Sequence, residues 1–246
     1  MNNVLRRRIV EIITKAGEGH IPSAFSIVDI VAQVYALKGE TDHFVLSKGH
    51  GCAALYAVLE AKGVLPTSAL DAYGAFTGIL GGHPDRTKVP GVECSTGSLG
   101  HGLPIAAGMA LGYKLQGRPD RVICLVGDGE CHEGTTWETA LVAAARGLTN
   151  LCVIVDRNGS ADQILPHPDM AAQWSAFGWH VWDGSGHNAD VSAAVRSFLG
   201  SAWTKPFCFI AETTKGKGVP MLEGHGAWHH RIPNAQEYAE IMEALA

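Results

Sequence analysis

Three short segments constrain the fold of this chain more than any other feature. Arg121–Gly127 (RVICLVG), Leu151–Asp156 (LCVIVD) and Phe207–Glu212 (FCFIAE) are apolar almost throughout and rich in β-branched residues. A strand with one wet face alternates polar and apolar residues. An uninterrupted apolar run is buried on both faces, as strands inside a parallel sheet are. Trp179–Trp182 (WHVW) is a further strand candidate. Helical patterns lie between these runs, at Glu133–Arg146, Pro168–Phe177 and Asn188–Leu199, the last with Asn188 as its cap. Upstream, Val4–Ala16 carries apolar Val4, Leu5, Ile9, Ile12 and Ile13 and meets a terminating Gly17. A second helix is expected from Ser26, with Asp29 as a weak capping signal and Ile27, Ile30, Val31 and Val34 on its apolar face. Asn158–Pro168 and the glycine-rich stretch Gly74–Gly102 read as loops. Strand alternating with helix predicts an α/β fold, a mostly parallel central sheet flanked by helices. No internal repeat divides the 246 residues, which suit a single domain over 1–246.

Charge excludes some functions. The net charge is −5, and no basic stripe of the kind nucleic-acid binders carry is present. The one dense basic run, Arg6-Arg7-Arg8, reads as a solvated helix face. No segment reaches the roughly 18–20 apolar residues that span a bilayer. Glu11 and Lys15 interrupt the apolar stretch after the arginines, so it does not read as a signal-peptide core. A cytoplasmic protein is the expectation. None of the six cysteines forms a C-x-x-C pair, which argues against a zinc ribbon; several sit in apolar runs as small buried hydrophobes.

Ligands of parallel α/β sheets bind off the carboxyl ends of the strands. One strand ends in Gly127-Asp128-Gly129-Glu130 and the next in Asp156-Arg157-Asn158-Gly159. Thirty positions and one helix separate Asp128 from Asn158, so adjacent strands would bring a carboxylate and a carboxamide together. Glycines at a strand end let backbone N–H groups approach a phosphate. A carboxylate between those glycines would repel it, unless a divalent cation bridges the two. Mg²⁺ and Ca²⁺ favour carboxylate, amide, carbonyl and phosphate oxygens. A turn that uses Gly, Asp and Asn for their backbone tolerance explains either tripeptide alone; both together, each directly after a buried strand, favour a site. A dinucleotide fingerprint needs G-x-G-x-x-G, and Gly129 is followed by glycine only at Gly134.

The spacing from Gly127-Asp128-Gly129 to Asn158 resembles the thiamine-diphosphate motif. Nearly the whole chain is similar to the amino-terminal half of transketolase. The resemblance rests on Phe44–Tyr56 (FVLSKGHGCAALY), Gly82–Asp85 (GHPD) with Gly91–Gly102 (GVECSTGSLGHG), Gly127–Gly134 (GDGECHEG), Val155–Gly159 (VDRNG), Lys215–Gly218 (KGKG) and Trp228–His230 (WHH). It implies that thiamine diphosphate and Mg²⁺ (or Ca²⁺) are the cofactors. Asp128 and Asn158 match the metal ligands, with the Ser160 carbonyl as the third. Gly127, Gly129 and Glu130 belong to the same cofactor motif, and Gly97, Ser98 and Leu99 match a loop against the aminopyrimidine end. His20, His50, His83 and His229 fall on site histidines that contact the cofactor or the donor hydroxyls. Imidazole suits chemistry that moves protons on and off hydroxyls near neutral pH. Glu133 matches a carboxylate at the subunit interface and is counted with the catalytic set.

The resemblance also has departures. Ile21-Pro22-Ser23 follows His20 where the family reads Pro-Gly-Gly, the segment before Phe44 is short, the loop after Asn158 is reshuffled (SADQILPHPD), Cys131-His132 is unusual, and His230 replaces a common glycine. A full transketolase is more than twice this length, and its second domain supplies the carboxylate on the pyrimidine ring. The chain therefore resembles the smaller subunit of a split transketolase. The expected partner carries the pyrimidine-binding and carboxy-terminal domains, in an α2β2 heterotetramer that moves a two-carbon ketol unit from a sugar donor to an aldehyde. Two rivals stand beside this reading. One is a component of another thiamine-diphosphate enzyme, acting on 2-oxoacids or loading a carrier protein. The other is a non-catalytic scaffold that kept the fold.

Overall fold

The structure is a computed structural model and describes residues 2–167, 169–224 and 226–246. Five strands form one sheet, all pairs parallel, in the order β1-β2-β3-β5-β4: β1 (His43–Leu46), β2 (Val122–Gly127), β3 (Leu151–Arg157), β4 (His180–Ser185) and β5 (Phe207–Glu212). The apolar runs of β2, β3 and β5 are buried on both faces because helices cover both. One layer contains α1 (Asn3–Ala16), α2 (Ile21–Leu37), α3 (Cys52–Ala61), α8 (Ala189–Gly200) and α9 (Ala235–Ala244). Its core takes Ile123, Leu125, Ile154 and Phe209 from the sheet. The other layer contains α5 (Gly102–Leu115), α6 (Gly134–Ala145) and α7 (Met170–Ala176), packed on Cys124, Val126, Val153 and Ile210. The alternation of neighbours such as Leu125 and Val126 between the two cores is the period-two geometry of a strand. A short α4 (Thr67–Asp71) precedes the long loop.

Most expected elements are present. Gly17 ends α1 in the left-handed conformation, at φ 70°, and the Asn188 side chain caps α8. All six cysteines are buried and free. Residues 72–101 contain no helix or strand. The helix expected from Pro168 begins at Met170 under an Asp169 cap; Pro168 itself lies outside the described residues.

Two expectations need correction. The second helix starts at Ile21, not Ser26. Pro22 fits its first turn, where a missing N–H costs nothing. Ser26 and Asp29 are not a capping pair: the Ser26 hydroxyl donates to Asp156 at 2.8 Å, and Asp29 pairs with Arg6 at 2.6 Å. Nor are the three arginines a solvated face. Arg6 is 0% exposed. Arg8 bridges Glu60 and Asp71, each at 2.9 Å, and Arg7 donates to the Met242 carbonyl at 2.9 Å. The run ties α1 to α2, α3, α4 and α9, a role that sequence periodicity does not reveal. Among the described residues, no helix is long and apolar enough to cross a membrane.

Candidate cofactor and metal site

Because β2 and β3 are parallel and paired up to Gly127 and Asp156, both deliver their next residues to one edge of the sheet. A cavity of about 190 Å³ opens there. Its lining brings together nine residues singled out in the sequence: Asp128, Gly129, Glu130, Asn158, Ser160, His50, His229, Gly127 and Leu99.

Asp128 is 3% exposed. Its Oδ1 accepts the Gly129 N–H at 2.8 Å, and its buried Oδ2 accepts no hydrogen bond. Burial raises its pKa, and the neighbouring Asp156 adds to the shift. A buried carboxylate oxygen without a donor costs free energy, which a divalent cation recovers. Asn158 is oriented for the same purpose. Its Nδ2 donates to Asp156 Oδ2 at 2.9 Å, so Oδ1 faces the other way, where it accepts the Ser160 N–H at 3.0 Å and keeps a second lone pair.

Asp156 is the buried anchor beneath the site. It takes hydrogen bonds from Ser26, Asn158, Thr213 and the Lys48 ammonium. Burial opposes its ionisation, but Lys48 and these donors outweigh it and hold the carboxyl below its ordinary range. Lys215 is the second buried cation, 6% exposed. Its Nζ donates to Ser160 Oγ at 3.2 Å and to His229 Nδ1 at 2.8 Å. Burial pushes the Lys215 pKa down, and Lys48 lowers it further.

The histidines form a wall beside this floor. The His20 ring lies 4.8 Å from that of His50, 5.4 Å from His229 and 4.6 Å from His230, and His50 lies 5.1 Å from His83. Glycines make room for them: a Cβ on Gly49 would stand 2.9 Å from His83, and one on Gly97 3.1 Å. Burial first, and mutual repulsion second, lower His20 to about 3 and His50 to about 4. Both rings are neutral at pH 7, so each offers one N–H and one lone pair to a hydroxyl.

Glu130 lines the cavity, but its carboxylate, in a side chain 0% exposed, is already taken. It accepts Ser47 Oγ at 2.5 Å, Gly100 N–H at 3.0 Å and Gly127 N–H at 2.9 Å. The Gly127 amide donates to Glu130 and the Gly129 amide to Asp128 within the chain. Positive charge at the cavity comes from Lys48 and Lys215. Both lay inside motifs read from the sequence but were not singled out; a lysine next to glycine at a strand end was the available signal. Glu133 is exposed at the start of α6, outside the cavity, and Ser98 is exposed with its Oγ 3.2 Å from His101 Nδ1.

Residues 1–246 match the family described as transketolase, thiamine diphosphate binding domain. This chain belongs to that family. It is 38% identical to an apulose-4-phosphate transketolase subunit of Phocaeicola vulgatus, over 98% of this chain and 91% of that protein. It is 37% identical to the 6-deoxy-6-sulfo-D-fructose transketolase subunit SqwG of a Clostridium species, over 93% and 88%. The transketolase of Campylobacter jejuni superposes with a TM-score of 0.91 at 28% identity, over 99% of this chain and 42% of that one. The chain thus spans about two fifths of that solved transketolase. Thiamine diphosphate with a divalent metal is the cofactor of this transketolase domain. The residues present fit it: a buried carboxylate oxygen without a donor, an oriented carboxamide and two buried ammonium groups suit a metal-bound diphosphate.

Proposed function

We propose that residues 1–246 form a single domain that acts as the diphosphate- and metal-binding subunit of a two-chain transketolase. The partner chain carries the pyrimidine-binding and carboxy-terminal domains, and two copies of each assemble as an α2β2 heterotetramer. The complex moves a two-carbon ketol unit from a ketose to an aldehyde. The names of the relatives, which speak of transketolase subunits, support the split. The observation that carries the reading is the buried Asp128 Oδ2 without a hydrogen-bond donor, beside Asn158 at the paired strand ends.

Asp128, Asn158 and the Ser160 carbonyl hold the metal, and Lys215 and Lys48 balance the diphosphate charge. Thiamine diphosphate, when bound, supplies the electron sink that the chemistry requires. His20, His50, His83 and His229 orient the hydroxyls of the sugar. With Lys215 donating to His229 Nδ1, the His229 Nε2–H is left to donate. Gly97, Ser98 and Leu99 support the far end of the cofactor, and Gly127, Gly129 and Glu130 shape the turn that presents Asp128. Glu133 meets the neighbouring subunit. Exposed Leu99, Ile105, Leu141 and Val142 on and beside α5 and α6 support a contact there. An obligate interface of this kind buries about 2,000 Å² or more. Six free cysteines suit a reducing compartment, and the protein resides in the cytoplasm.

The test is a two-carbon transfer assay with thiamine diphosphate, Mg²⁺ and a ketose phosphate, run on this chain alone and on the chain coexpressed with a partner carrying the missing domains. Turnover is expected only for the pair. Robust turnover by the isolated chain, or none by any pair, contradicts the proposal.

A further inference from the structure

Asp128 Oδ2 has a competitor for its open position. The Arg157 guanidinium stands 3.7 Å away, just beyond hydrogen-bond distance. Arginine and carboxylate close readily into a tight, often bidentate pair. Such a pair at Asp128 would occupy the oxygen that a cation needs. Asp162 holds Arg157 back: its Oδ2 takes the Arg157 NH2 group at 2.7 Å. The other oxygen of Asp162 accepts the backbone N–H of His167 at 3.1 Å. His167 is buried, and its Nε2–H donates to the Asp128 carbonyl at 3.2 Å. The His167 ring stacks on His132, with centroids 4.2 Å apart and planes 11° off parallel. The loop after Asn158 is therefore tied to the Asp128 turn at two points, through one charge and one ring. Arg157, Asp162, His167 and His132 are not among the residues lining the cavity. Their contacts act on Asp128 from behind.

We infer that Arg157, Asp162 and His167 are positioning residues that keep the Asp128 carboxylate open to a divalent cation. The inference rests on the reading of Asp128 as a metal ligand. The geometry assigns separate tasks to the members. Asp162 diverts the guanidinium sideways, so Arg157 offsets the negative charge near Asp128 without capping it. His167 fixes the backbone of Asp128 and with it the direction of the carboxylate. His132 holds the His167 ring in plane. Groups behind a metal ligand characteristically change affinity by 10–100-fold when removed.

The test titrates Mg²⁺ into the two-chain complex at saturating thiamine diphosphate, followed by tryptophan fluorescence, with circular dichroism as the check on folding. Asp162→Asn keeps an acceptor for the His167 N–H but loses the charge that holds Arg157. It should weaken Mg²⁺ about 10–100-fold. Adding Arg157→Gln to that variant removes the competitor and should restore most of the affinity. His167→Ala should weaken Mg²⁺ in the same range, and His167→Gln, which can still donate, should recover part of it. Wild-type affinity in both Asp162→Asn and His167→Ala overturns the inference. So does an Asp162→Asn/Arg157→Gln variant as weak as Asp162→Asn alone. If the wild-type complex binds neither Mg²⁺ nor cofactor, the metal-ligand reading itself fails, which is a different result from binding that these variants leave unchanged.

Discussion

Gly127 and Asp156 are register partners in the pairing of β2 with β3. Asp128 and Asn158 therefore each stand one residue beyond the end of their strands, at the same edge of the sheet. Asp156 links the two halves of the site, because its carboxylate receives both Lys48 and the Asn158 amide. An Asp156→Ala variant should lose Mg²⁺-dependent cofactor binding even though Asp156 is not itself a proposed ligand. It would free the Asn158 amide to rotate and leave Lys48 buried without its partner. Equilibrium dialysis of thiamine diphosphate checks this, and wild-type binding contradicts it.

The neutral histidines make a pH prediction. His20 and His50 fall from an ordinary 6.5 to about 3 and about 4 on folding. The unfolded chain then binds protons that the native chain refuses. Their contribution to stability is complete above pH 6.5, declines as pH falls, and is lost below about 4 for His50 and about 3 for His20. Melting temperature should fall as the pH is lowered across this window. In His20→Asn/His50→Asn the slope should be shallower. An unchanged slope would contradict the burial account.

Activity should follow the same wall. His50→Ala and His229→Ala are expected to lower turnover of the complex about tenfold to ten-thousandfold, the range for lost acid–base or polar stabilisation. Their melting temperatures should stay near wild type, since neither ring supports a core. Full activity in both, or simple unfolding, contradicts the assignment.

The Arg6–Asp29 pair is a structural prediction. Arg6→Leu leaves Asp29 buried against His187 and Asn2, which donate to it at 3.0 and 2.9 Å. Removal of one partner of a buried pair costs about 3–5 kcal/mol. Urea unfolding reads the loss, and a change below about 1 kcal/mol, as for an exposed pair, would contradict it.

Much of the fold was legible because parallel strands announce themselves. The runs RVICLVG, LCVIVD and FCFIAE are apolar on both faces, and they became β2, β3 and β5 with little change. The floor of the site followed, because Asp128 and Asn158 are adjacent to those strands in sequence. What stayed hidden depended on distant contacts. Arg6 looked solvated until Asp29, one helix away, neutralised it. The strand β1, only four residues long, gave no run of its own. Glu130 lines the cavity, and the contacts that hold its carboxylate, from Ser47, Gly100 and Gly127, come from three segments that spacing does not bring together. Lys48 and Lys215 owe their place to burial beside Asp156 and Ser160, which spacing does not encode.

The central claim is that Asp128 and Asn158 hold a divalent cation against the cofactor's diphosphate. A crystal structure of the two-chain complex grown with thiamine diphosphate and Ca²⁺ tests it most directly. The account predicts a cation bound by Asp128 Oδ2, Asn158 Oδ1 and the Ser160 carbonyl at about 2.3–2.6 Å, with diphosphate oxygens completing its shell. A bound cofactor whose cation touches neither Asp128 nor Asn158 would contradict it.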